Sequence, residues 1–94
     1  MLLKGKTAVI TGCNRGIGKA TLKVFAEEGA DIWACVRQLD EEFSVFLDVL
    51  KQETQVNITP VCFDLADSDA VKAGAKTILA EKRPIDILIN NAGI

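Results

Sequence analysis

The residues with the strongest chemical signature are Thr11-Gly12-Cys13-Asn14-Arg15-Gly16-Ile17-Gly18. They follow a short apolar run, Thr7-Ala8-Val9-Ile10, and lead into a helical period. Glycines at 12, 16 and 18 allow a tight turn, a close approach to an anion and close packing of helix on sheet. A helix that begins there offers unpaired N–H groups and a partial positive charge, which suit a phosphate. A glycine-rich turn that binds nothing has the same spacing, so the reading depends on the motif lying between a strand and a helix.

The end of the second strand bears on which phosphate compound is held. A dinucleotide with a free ribose 2′-hydroxyl usually meets an Asp or Glu ~20 residues beyond the glycines. Here that place is filled by Val36-Arg37, and the nearest acids, Asp31 and Asp40, lie at the strand start and in the following loop. Two guanidinium groups are available instead, Arg15 in the glycine turn and Arg37 after the strand. A guanidinium matches a phosphate by forked, charge-assisted hydrogen bonds. The expectation is that Arg15 and Arg37 clamp the 2′-phosphate of NADP(H); the alternative is two solvated surface arginines.

Composition narrows the rest. The chain has 94 residues, so it forms one domain at most. It contains no histidine and no tyrosine, and its only serines are Ser44 and Ser68. Histidine-activated nucleophiles, histidine-ligated metals and phenolic proton donors are therefore excluded within these residues. A formal charge of −2 without a basic run gives no electrostatic reason to expect nucleic acid or an anionic membrane as partner. The opening Met1-Leu2-Leu3-Lys4 has too short an apolar run for a secretory leader, and no apolar stretch is long enough to span a bilayer. Cys13, Cys35 and Cys62 are odd in number and match no zinc spacing, which suits small reduced thiols. A soluble cytoplasmic protein is the expectation.

These residues need a frame, and the hydrophobic pattern supplies it. After the first strand, Ile17, Ala20, Thr21, Val24 and Phe25 fall on one helical face, and Gly29 marks the helix stop. Asp31 to Val36 reads as a second strand. Asp40 is a candidate N-cap, Glu41 and Glu42 suit a helix start, and Phe43, Phe46, Leu47 and Leu50 form that helix's stripe. Ile58 to Phe63 is a third strand, placed at an edge by Pro60, which has no N–H to donate. Asp67 or Ser68 caps a third helix with the stripe Val71, Ala75, Ile78 and Leu79. Pro84 precedes a fourth strand, Ile85 to Ile89, which runs into Asn90-Asn91-Ala92-Gly93. The alternation β-α-β-α-β-α-β with short loops implies an open α/β fold with a parallel sheet covered on both faces.

Together, the glycine turn, Asp64-Leu65 after the third strand and Asn90-Asn91-Ala92-Gly93 after the fourth resemble the classical short-chain dehydrogenase/reductase family. The likeness runs through all 94 residues in order, and within the family it is greatest to the 3-oxoacyl-[acyl-carrier-protein] reductases of fatty acid biosynthesis. It implies the N-terminal half of a Rossmann-type doubly wound sheet with strand order 3-2-1-4. It further implies an oxidoreductase that moves a hydride between NADPH and a carbonyl or alcohol, and a homo-oligomer. By the same resemblance, Gly12, Gly16 and Gly18 would shape the cofactor turn, with the Ile17 backbone toward the pyrophosphate and nicotinamide. Asn14, Arg15 and Arg37 would face the adenosine ribose and its phosphate. Asp64 would accept from the adenine amino group beside the Leu65 backbone; taken alone, Asp64 also reads as a turn or capping acid. Asn90 would tie the central strands together and adjoin the ribose, while Ala92 and Gly93 would line the cofactor's path.

The family's catalytic Ser, its Tyr-x-x-x-Lys pair and the asparagine of its proton relay lie beyond the fourth strand and are not among these residues. Residues 1–94 are thus expected to be a cofactor-binding half domain with no catalytic residue and no metal, inactive alone. The alternative function is a non-catalytic nucleotide-binding module. A fourth strand left at an edge would also offer its backbone for pairing with another chain.

Overall fold

The computed structural model describes residues 1–91. Its elements are β1 (Thr7–Thr11), α1 (Gly16–Glu27), β2 (Asp31–Val36), α2 (Glu41–Thr54), β3 (Ile58–Cys62), α3 (Ser68–Ala80) and β4 (Ile87–Asn90). The four strands form one parallel sheet in the order β3-β2-β1-β4. Val9 lies beside Trp33 on one side and Leu88 on the other, which sets the central register. Pro60 sits in β3 at the sheet edge, where a missing N–H costs least.

Alternation along each strand separates two cores. Ala8 and Ile10 of β1, with Ile32, Ala34 and Val36 of β2, pack beneath Leu22 and Ala26 of α1 and Phe43, Leu47 and Leu50 of α2. Val9, Trp33, Cys35 and Val61 point to the opposite face, where Ile78 of α3 covers them. Successive side chains thus serve opposite layers, and both layers need apolar residues.

Two helices are rotated from the faces that periodicity predicts. In α1 the buried residues are Gly18, Leu22 and Ala26, whereas Ile17 is 74% and Val24 53% exposed. In α3 Gly74 and Ile78 are buried, while Ala75 and Leu79 are exposed. Each helix turns its glycine toward its neighbour: Gly18 lies on the Gly12 backbone, and Gly74 lies against the Phe63 ring. The residue that permits close approach lies on the buried face, and apolar periodicity gives glycine no weight. The predicted α2 stripe is found, with Phe46 half-buried.

Strand ends shift modestly. β3 stops at Cys62, although the Phe63 N–H still reaches the Val36 carbonyl at 3.0 Å. β4 begins at Ile87, because Asp86 takes both polar groups of Thr7: its N–H donates to the Thr7 carbonyl and its carboxylate accepts from the Thr7 N–H, each at 2.9 Å. Among the described residues β4 is an edge, with Leu88 68% exposed. No helix among them is long and apolar enough to cross a membrane.

Candidate functional site

The carboxyl ends of the strands open onto a cleft of about 900 Å³. Its floor is the turn from Thr11 to Gly18, one wall is Val36, Arg37, Gln38 and Asp40, and the other is Phe63 to Ala66, with Asn91 at the end. Gly12 and Gly16 take the left-handed backbone, at φ +60° and +58°, which side-chain-bearing residues adopt only with strain. A Cβ on Gly18 would fall on the Gly12 carbonyl oxygen and only 3.1 Å from Cys13 Cα. The helix therefore begins pressed against the turn, with its first amides at the cleft.

Below the turn, the Gly12 N–H donates to the Cys35 carbonyl at 3.0 Å, and Cys13 Sγ lies 3.7 Å from the same oxygen. Cys13 is fully buried. Burial pushes its thiol up to about 12, with a smaller contribution from Cys35, and pushes Cys35 up to about 11. Both stay neutral thiols near pH 7 and act as packing groups.

The start of α1 differs from that of its neighbours. Arg15 occupies its N-cap position in extended backbone with no side-chain capping bond, and the first turn carries no acid. Asp40 caps α2 by accepting from the Phe43 N–H at 2.8 Å, so the one acid near the end of β2 is engaged in its own helix. The amides that open α1 are the ones left for an anion.

The sequence-derived site residues gather unevenly. Gly12, Asn14, Arg15, Gly16, Ile17, Gly18, Arg37, Asp64 and Leu65 all line the cleft. Asn90 does not: its Oδ1 accepts from the Thr11 hydroxyl at 2.8 Å, bridging β4 to β1, and its side chain borders a separate apolar cavity beside α3. Asn91 reaches the cleft instead, and its N–H donates to Thr11 Oγ1 at 3.1 Å. Strand alternation sends neighbouring side chains in opposite directions, so only one of two adjacent asparagines faces the site. Ala92 and Gly93 lie outside the described residues. The sequence reading did not single out Gln38, Phe63 or Asn91 as site residues; the direct signal was their position at strand ends.

Arg37 Nε lies 3.7 Å from Asp64 Oδ2, joining the two walls. Asp64 is itself held, since its Oδ1 accepts from the Ala66 N–H at 2.9 Å. What results is a cradle of backbone donors flanked by two guanidinium groups, open enough for a nucleotide.

Comparison with known families fits that geometry. The sequence profile of the short chain dehydrogenases matches residues 6–94. The chain belongs to the short chain dehydrogenase family. Among its relatives, retinol dehydrogenase 11 of Mus musculus is 39% identical over 98% of the chain and 29% of the relative. The 3-oxoacyl-[acyl-carrier-protein] reductase of Chlamydia trachomatis is 37% identical over 99% of the chain and 37% of the relative. The crystal structure of L-sorbose reductase from Gluconobacter frateurii, complexed with NADPH and L-sorbose, superposes with a TM-score of 0.85. It is 38% identical, covering 98% of this chain and 35% of that one. This short chain dehydrogenase sequence thus spans about a third of the length of these relatives, and its fold is the 3-2-1-4 portion of a Rossmann-type sheet.

Proposed function

We propose that the chain is the NADP(H)-binding portion of an oxidoreductase that interconverts a carbonyl and an alcohol. The observation that carries this reading is the uncapped start of α1 set between Arg15 and Arg37, with Asp40, the acid nearest the end of β2, engaged in capping α2. The NADPH complex of L-sorbose reductase supports it.

When bound, the nicotinamide supplies or accepts the hydride. The residues present bind and orient. The amides of Gly16, Ile17 and Gly18 face the pyrophosphate, Arg15 and Arg37 hold the 2′-phosphate, Asp64 and Leu65 border the adenine, and Asn14 borders the ribose. The Thr11–Asn90 hydrogen bond holds β1 and β4 together beneath the cofactor. No tyrosine is present to protonate a developing alkoxide, so residues 1–94 alone bind cofactor without turnover. The substrate class we assign to the whole enzyme is a 3-oxoacyl thioester, with the Chlamydia reductase as the supporting relative. The setting we assign to the whole enzyme is a cytoplasmic homo-oligomer.

Titration with NADPH and NADH tests the cofactor reading. Tighter NADPH binding is expected, whereas equal or tighter NADH binding would refute it. Oxidation of NADPH with acetoacetyl thioesters by the verified 94-residue chain would refute its assignment as a binding portion.

A further inference from the structure

Arg37 leaves the end of β2 with a side chain that is 79% exposed, and a guanidinium so placed samples many rotamers unless something holds it. Its ion-pair partner among the described residues is Asp64. That carboxylate comes from a different strand end and is fixed on its own account. Asp64 Oδ1 accepts from the Ala66 N–H at 2.9 Å, and the Asp64 carbonyl accepts from the Asp67 N–H at 3.0 Å. The turn after β3 therefore aims Oδ2 across the cleft at Arg37 Nε. With Nε turned toward the Asp64 carboxylate in an ion-pair contact longer than a hydrogen bond, the two terminal nitrogens remain for a forked contact with phosphate oxygens.

We propose that Asp64 is a positioning residue: by holding Arg37 Nε it presents the guanidinium to the 2′-phosphate and so sets the preference for the phosphorylated dinucleotide. This inference rests on the NADP(H) reading above. It differs from a role for Asp64 as acceptor of the adenine amino group, which would favour every adenine nucleotide alike. It differs also from plain charge repulsion, in which Asp64 would oppose a nearby phosphate and its loss would strengthen the preference.

The test is calorimetric titration of the full chain with adenosine 2′,5′-bisphosphate and with AMP, compared as a ratio of affinities. Asp64→Asn keeps the oxygen that accepts from Ala66 and removes the charge; Asp64→Glu keeps the charge and disturbs the turn. An exposed pair is modest in strength, so Asp64→Asn should lower the bisphosphate-to-AMP ratio about three- to fivefold, with Asp64→Glu retaining most of it. In an Arg37→Ala background, Asp64→Asn should leave the ratio where Arg37→Ala puts it. Equal weakening of both ligands, an unchanged or increased ratio, or loss on Glu but not Asn would each overturn the proposal. A wild-type chain that does not distinguish bisphosphate from AMP would overturn the NADP(H) reading itself, and this inference with it.

Discussion

Three helices start at the carboxyl ends of three parallel strands, and they start differently. Asp40 caps α2, with Glu41 and Glu42 in its first turn. Asp67 caps α3 by accepting from the Asp69 and Ala70 N–H groups at 3.0 and 3.2 Å, and Asp69 adds a further acid. At α1 the corresponding place holds Arg15, followed by two glycines and no acid. Helices α2 and α3 satisfy their own amides and dipoles from within the chain. Helix α1 leaves both unsatisfied and adds the positive charge of Arg15, an arrangement that favours an incoming phosphate. Missing local stabilisation thus marks the candidate site more sharply than any single side chain.

The contrast can be broken most severely at Gly18. A side chain there meets the Gly12 carbonyl, so Gly18→Val should abolish nucleotide binding and destabilise the fold by about 2–3 kcal/mol. Urea unfolding and NADPH titration check both; binding at the wild-type level would remove the close approach from the account.

The turn beneath α1 has a pH signature. Cys13 and Cys35 keep their protons to about 12 and about 11 in the fold, against an ordinary 9.0. Above pH 9 the unfolded chain loses thiol protons that the folded chain retains, so stability is full below pH 9 and falls as pH rises. The slope should approach 1.4 kcal/mol per pH unit for each thiol until the folded values are reached. Unfolding free energies from urea titrations between pH 8 and 10.5 should follow that slope, and Cys13→Ala should about halve it, leaving the share of Cys35.

Removing a self-cap separates structure from binding. Asp67→Ala should cost about 1 kcal/mol and leave NADPH affinity unchanged. The reciprocal change is the smallest in energy and the sharpest in meaning. Arg15 already has extended N-cap backbone, so Arg15→Asp should cap α1, stabilise the free chain by about 0.5–1 kcal/mol and weaken NADPH binding. Thermal unfolding with and without nucleotide reads both effects, and a variant that gains stability without losing affinity would contradict the contrast.

Much of this was legible before the structure. The β-α alternation, the caps at Asp40 and Asp67, the edge position of Pro60 and the glycine turn follow from local rules that act on neighbouring residues, while the strand order came through the family resemblance. The rotations of α1 and α3 were not, because they depend on which glycine meets which distant atom: Gly18 on Gly12, Gly74 on Phe63. The choice between Asn90 and Asn91 was hidden for a related reason, since one residue of chain register decides which asparagine borders the cleft. The Arg37–Asp64 pair joins two strand ends and has no sequence spacing to announce it.

The central claim is that the amides opening α1 receive a phosphate while those of a self-capped helix do not. Titration of ¹⁵N-labelled chain with NADPH, followed by two-dimensional NMR, reads each amide separately. The account predicts large, saturable shifts at Gly16, Ile17 and Gly18 and almost none at Asp69 and Ala70, the amides already bonded to Asp67. Saturable binding that leaves the α1 amides unmoved, or moves the two helix starts alike, would contradict it.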